Sequence, residues 1–403
     1  MPYIRYTKPI VYISLIFSLI LSCIEPFEVE TQSFESILVV NTTITDQEKY
    51  QEINLSRTFR FEDDGPIQEQ GAKVRVLEGV DTEYVFEEIA PGIYRSVDEF
   101  GAKKGKTYQL KILTVDGRSY SSDNEVLPAK SSIEKLYPRR MVGDTGDDGI
   151  GLLIDSFDPT GASVFYRFEY EETYRISPPS WVSKDVAEIF DENGELTLGL
   201  RDRSIEKKIC YNTNNSNKIK LVNTSGFAED RISSLVVNFI PLDDIRIEDR
   251  YSILVRQYVQ SRGAHGFYEI LERFSESESL FSQVQPGFVT GNIVSDMDAS
   301  EKVLGYFDIS SFAEMRIFFN RTEVVEEASQ YYSCTTVIPE PRPQQTIESF
   351  RQTLLSLIDA GAVVYSSGQG PDVPFSDPFV FVTRECGDCT VNGESTAPSF
   401  WED

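Results

Sequence analysis

Apolar residues recur at every second position through long stretches of this chain, the period of a half-buried strand. Ile37–Ile44 is β-branched and ends at Thr45-Asp46, Glu52–Ser56 alternates, and Ala72–Val76 sets apolar against basic residues. Tyr84–Phe86 follows a turn at Gly79–Thr82, and Gly92–Ser96 comes next. In Tyr108–Ile112, residues Tyr108, Leu110 and Ile112 share one face. Asp116-Gly117 is a hairpin signal before Ser119-Tyr120-Ser121. Short strands with a turn roughly every ten residues predict an immunoglobulin-like β-sandwich over residues 35–128. The Cys…Trp…Cys core of true immunoglobulin domains is absent.

After a break at Leu127–Ser132, the pattern predicts a larger β-rich domain over 133–403 with helical insertions and a disulfide-containing C-terminus. Gly149–Asp155, Ser163–Tyr170 and Tyr251–Tyr258 read as strands, and Lys302–Asp308 and Arg316–Phe319 as two more. The period changes twice. His265–Ser275 places Phe267, Ile270, Leu271 and Phe274 at helical spacing, and Ile347–Asp359 carries one apolar stripe with Gly361 as a stop. The fold expected is therefore mainly β, with a few short helices.

The start of the chain follows another rule. Arg5 and Lys8 precede an uncharged apolar run, Ile10–Leu21, and then Ile20-Leu21-Ser22-Cys23. The run is too short for a permanent span of a roughly 30 Å hydrocarbon core, so 1–22 reads as a removed lipoprotein signal peptide. Cys23 would then carry acyl chains such as palmitate and anchor the protein to a membrane. The plain alternative is an ordinary signal peptide with a chance cysteine. Residues 23–34 read as an acidic, proline-broken tether. An acidic tract directly after such a cysteine resembles the surface-export signal of Bacteroidota lipoproteins, and that resemblance implies an outer-membrane lipoprotein facing the cell surface; a linker facing the periplasm is the other reading.

Charge narrows the partners. A net charge of −27 argues against nucleic acid, whose binding depends on Lys and Arg neutralising phosphates. It also argues against a polybasic membrane contact. Past Cys23, the cysteines are Cys210, Cys334, Cys386 and Cys389, an even set that reads as two disulfides in an exported protein. Three connectivities are open. The arrangement expected is Cys386–Cys389 closing a short loop, with Cys210–Cys334 joining distant segments. A redox or zinc role for Cys386-Gly387-Asp388-Cys389 would need a helix start in a βαβ unit, or further cysteines or histidines.

Reactive chemistry is sparse. His265 is the single imidazole, and its glycine-rich surroundings suggest a helix start rather than a triad member. No catalytic residue is assigned, and no cofactor is expected. In Gly143–Gly149, Asp144, Asp147 and Asp148 supply oxygens that calcium accepts, without the alternation or terminal Glu of an EF-hand; a solvated hairpin loop is the simpler reading. Trp181, Tyr211 and Trp401 are aromatics available either to a binding surface or to packing.

Several motifs follow one another along the chain. They are Leu38-Val39-Val40…Ile44-Thr45-Asp46, Gly71–Val76, Gly92–Ser96 with Gly105-Lys106-Thr107-Tyr108, and Asp116–Ser122. Later come Gln285-Pro286…Gly291-Asn292-Ile293, Val303–Phe307 and the ending Cys386–Thr390…Pro398-Ser399-Phe400-Trp401. Together these resemble the lipoproteins grouped as domain of unknown function 4249, over nearly the whole chain past Cys23. Tyr211 departs from the Trp that many of those relatives carry at the position after Cys210. The resemblance implies an exported lipoprotein of Bacteroidota whose gene neighbours a TonB-dependent outer-membrane transporter. The expected function is that of a non-enzymatic accessory to such a transporter, capturing a small molecule or peptide or acting as a docking lid. The alternative is a structural subunit of an outer-membrane assembly or export complex.

Overall fold

The computed structural model describes residues 36–60, 63, 65–190, 192–203, 206–276, 289–327, 331–339, 343–368 and 379–403. The leader, Cys23 and the acidic tether lie outside the described residues. The first region runs β1 (Leu38–Thr45), β2 (Glu52–Arg57), β3 (Ile67–Gln68), β4 (Lys73–Glu78), β5 (Thr82–Ala90), β6 (Ile93–Ser96), β7 (Thr107–Leu113), β8 (Ser119–Ser122) and β9 (Glu125–Val126). Next come β10 (Ser132–Val142), β11 (Asp148–Phe157), β12 (Phe165–Ile176), β13 (Lys184–Phe190), β14 (Leu196–Asp202), β15 (Cys210–Asn215), β16 (Lys220–Asn223) and β17 (Arg231–Pro241). The remainder is β18 (Arg250–Val259), helix α1 (Arg262–Glu276), β19 (Ile293–Ser295), β20 (Val303–Asn320), β21 (Thr336–Val337), helix α2 (Ile347–Asp359), β22 (Val363–Ser367) and β23 (Val380–Thr383). The protein is mainly β.

The alternation of the first region becomes its burial. Ile53, Leu55, Val74, Val76, Leu110 and Ile112 point into one dry core, while the residues between them face water. These strands form the expected β-sandwich. Its buried tyrosines keep their hydroxyls satisfied: Tyr94 donates to the Glu69 carbonyl at 2.7 Å and Tyr108 to the Glu78 carboxylate at 2.9 Å. The Asp116-Gly117 turn forms as expected, with Gly117 at φ +87°, where a side chain would be strained.

One strand joins the two regions. The spacing predicts separate strands at 302–308 and 316–319; instead β20 is a single strand of 18 residues. Its first half runs parallel to β1, from Val303 opposite Leu38 to Ser310 opposite Thr45. Its second half runs antiparallel to β18, from Ser311 opposite Val259 to Asn320 opposite Arg250. The apolar pattern breaks at Ser310 and Ser311, yet both are buried and bonded: Ser310 donates to Asp308 and Ser311 to the Pro128 carbonyl at 2.7 Å. The Phe312 amide donates to Asp46 at 2.8 Å. Polar side chains thus carry the strand from one core to the next. Val303, Phe307 and Ile309 complete the first core, together with Ile293.

The second region has two layers. β10, β11 and β17 form one sheet; β12, β18 and β20 form its facing layer within the sheet that continues into the first region. Ile150, Leu152 and Ile154 meet Tyr166, Phe168, Tyr251 and Ile253 between them. A third small cluster joins the β13–β14 hairpin to α2, β22 and β23 through Val186, Leu198, Leu354 and Phe381.

The disulfide pairing corrects the expected one. Cys210 bonds Cys389 and Cys334 bonds Cys386. Cys386 and Cys389 fall in two successive 3-10 turns held by different neighbours: the Cys386 carbonyl accepts from Ser180, and the Cys389 amide donates to the Lys207 carbonyl. Each cysteine is therefore turned to its own partner. Asp388, fully buried between them, bonds Thr390, Lys207 and Arg384. Burial alone would raise its pKa, but those three donors outweigh burial and hold it at about 2. Ionised Asp388 therefore favours the fold above the unfolded value of 3.8, and this contribution fades as pH falls toward 2. Acid unfolding followed by circular dichroism should show about 2 kcal/mol lost over that window, a loss absent from Asp388→Asn. Equal acid slopes in the two proteins would refute this.

Candidate functional site

The residue alternation of β12, β18 and β20 creates two faces. Even positions of β12 enter the core, so Arg167, Glu169, Glu171, Thr173 and Arg175 line the opposite face. Register then sets the rows. Arg167 lies beside Tyr258, which lies beside Phe312; Glu169 beside Arg256, beside Glu314; Glu171 beside Leu254, beside Arg316. The result is a ladder of opposite charges between aromatic rows.

Glu171 sits at its centre. It accepts from Arg316 at 2.7 Å and Arg256 at 3.2 Å. Burial would raise its pKa, but the two guanidinium groups outweigh burial and lower it, so the carboxylate stays ionised.

At one end α1 closes over the ladder. The Arg167 guanidinium lies 4.3 Å from the Tyr258 ring and 4.5 Å from the Tyr268 ring, between the two. It pairs with Glu169 and donates to the Thr43 hydroxyl at 3.2 Å, and its Nε has no partner among the described residues. Below it lies Asp308, wholly buried, accepting from Gln260 at 2.8 Å and from Ser310. Burial raises the Asp308 pKa, opposed by Arg167. This polar junction links β1, β12, β18, β20 and α1.

At the other end the C-terminal residues close it. The Phe400 ring lies 3.7 Å from the Arg316 guanidinium, and Trp401 packs against Phe318 and Tyr211. Arg250 donates to the Glu402 carbonyl at 2.6 Å, and Arg175 pairs with Asp403. Beside the ladder, a cleft of about 360 Å³ opens where β12 passes from β16 to β15.

The residues singled out from sequence are scattered. Tyr211 and Trp401 meet at this face but are half-buried in mutual packing, and Trp181 is half-buried elsewhere, near Lys208. His265 lies in the first turn of α1, as its glycine-rich surroundings suggest, and Ser261 caps that turn by accepting from the Ala264 amide at 3.2 Å. The imidazole is buried against Phe165, and burial lowers its pKa. Asp144 and Asp147 belong to the β10–β11 hairpin loop, where Asp147 accepts from Thr145; Asp148 pairs with Arg140 at 2.6 Å. Among the described residues, no three His, Cys, Asp or Glu side chains converge as a metal group. The ladder escaped sequence reading because its members lie on strands far apart in the chain.

The model of a protein family described as "Domain of unknown function (DUF4249)" matches residues 24–316. No curated protein matches the chain.

Proposed function

The chain belongs to the DUF4249 family, and from that premise we propose that it is an acylated outer-membrane lipoprotein serving a TonB-dependent transporter as a non-enzymatic accessory. It holds a ligand or docks on the transporter. Cys23 carries the anchor, and the acidic tether places the β body on the cell surface. Among the described residues, no helix is long and apolar enough to cross a membrane.

The observation that carries the binding half is the charged ladder. Its arginines and acids are already fixed by neighbours and by two aromatic clamps, so little ordering is left to be lost on binding.

Two measurements test this. Cys23→Ala should move the protein from membranes to the soluble fraction with its fold unchanged, and continued sedimentation with membranes would remove the anchor. Affinity purification of the native protein from detergent-solubilised membranes should recover a TonB-dependent transporter. Recovery of assembly or export machinery in its place would replace the uptake role with a structural one.

A further inference from the structure

Resting on the binding reading above and naming its ligand class, we propose that the cleft beside β12 receives a small ligand rich in carboxylates, and that Glu169 is the side chain this ligand displaces. The cleft exists because β12 changes partner. It pairs with β16 through Phe165–Phe168 and with β15 through Glu171–Ile176. The connection between β15 and β16 crosses the gap, where Ser216 takes both backbone groups of Tyr170: its amide donates to the Tyr170 carbonyl at 2.8 Å, and its hydroxyl accepts from the Tyr170 amide at 3.1 Å. Glu169 is left lining this gap, its side chain partly exposed.

The lining inverts the charge of the molecule. In a chain of net charge −27, this cleft is lined by Arg167, Lys218 and Arg256, with Glu169 as its one acid. Concave walls of one sign concentrate ions of the other. Asn215 and Asn217 at the rim add amides that donate and accept.

The three cations differ in how committed they are. The Arg167 side chain is 7% exposed, and its stacking between two rings fixes the guanidinium plane. A planar guanidinium matches carboxylate and phosphate geometry alike; the carboxylate already seated on Arg167, that of Glu169, is what points to the carboxylate class. Arg256 is shared between Glu171 at 3.2 Å and Glu314 at 3.8 Å. Lys218 is exposed and pairs with no acid among the described residues. Glu169, whose side chain is 38% exposed, already occupies the Arg167 seat. It is the built-in stand-in for a ligand carboxylate. A ligand carboxylate takes over the Arg167 contact as Glu169, the more exposed partner, turns to solvent, so the buried guanidinium keeps a counter-ion, and a ligand bearing several carboxylates can engage Arg167, Arg256 and Lys218 together.

The test is calorimetric titration of the full lipidated protein in detergent micelles with citrate at constant ionic strength. Saturable binding is expected. Arg256→Ala should weaken it about tenfold, Lys218→Ala about threefold, and Glu169→Ala should tighten it about threefold, by removing the internal competitor. Lys218 lies on an exposed loop, so its variant carries the test if Arg256→Ala melts early. Absence of saturable citrate binding would overturn the proposal, as would affinities unmoved in Glu169→Ala and Lys218→Ala. Inorganic phosphate binding as tightly as citrate would overturn the carboxylate class. Transporter recovery is scored separately, so citrate binding without a transporter, or a transporter without citrate binding, identifies which of the two ideas has failed.

Discussion

Cys210→Ser with Cys389→Ser should cost this protein up to about 5 kcal/mol of stability, the larger of the two disulfide effects. The reason is separation: Cys210 and Cys389 lie 179 residues apart, whereas Cys334 and Cys386 lie 52 apart. In the chain-entropy account, the longer closure removes more freedom from the unfolded chain, giving about 5 against about 4 kcal/mol. The bond also fastens the C-terminal clamp to the charged face, since Cys210 opens β15 and its neighbour Tyr211 pairs with Glu394 and packs on Trp401. Urea unfolding without reductant should therefore show a lower midpoint in the double variant. Reductant should bring the wild type down toward it. A midpoint unchanged by the two substitutions would show that the link constrains nothing in solution.

Arg167→Met should cost about 3–5 kcal/mol at neutral pH, because it leaves buried charge without its counterpart. Arg167 opposes the burial penalty on Asp308, and its guanidinium fills the space between Tyr258 and Tyr268. Methionine restores most of the volume but none of the charge. The sign of the pH dependence follows. Burial already raises the Asp308 pKa in the folded protein, and loss of Arg167 raises it further. A raised carboxyl favours the fold at low pH and loses that contribution as pH rises. The deficit of the variant should therefore be largest near pH 7 and shrink near pH 4, once Asp308 takes up its proton. Urea melts at both values read this directly; equal deficits would separate Arg167 from Asp308. Arg167→Lys should recover part of the loss, since an ammonium restores charge without planar stacking.

The parts of the fold legible in the sequence are those with one dry and one wet face. β2, β4 and β7 show it: Ile53 with Leu55, Val74 with Val76, and Leu110 with Ile112 mark the core side within a few residues. Helix α2 spans the predicted residues, and α1 starts earlier than its apolar stripe because Ser261 caps it. The edge strands were hidden. Asn212-Thr213-Asn214-Asn215 of β15 and Lys220 of β16 carry little apolar pattern, and pairing with β12 alone makes them strands. The charged ladder was hidden for a related reason. Glu171, Arg256 and Arg316 have no local signature, and only the register of three strands brings them within bonding distance. The cysteine pairing likewise depended on which way two short turns face, which spacing does not encode.

The long strand shared by both cores also decides how the molecule carries a mechanical load. β1 is the first strand of the described residues, and all eight of its residues lie parallel to β20 in continuous register. A pull on β1 runs along that pair, so its hydrogen bonds are loaded together in shear rather than peeled one by one. The tension then passes down β20 into β18, past Asp308 and Arg316. A load on the first described strand is in this way borne by the strand that spans both cores.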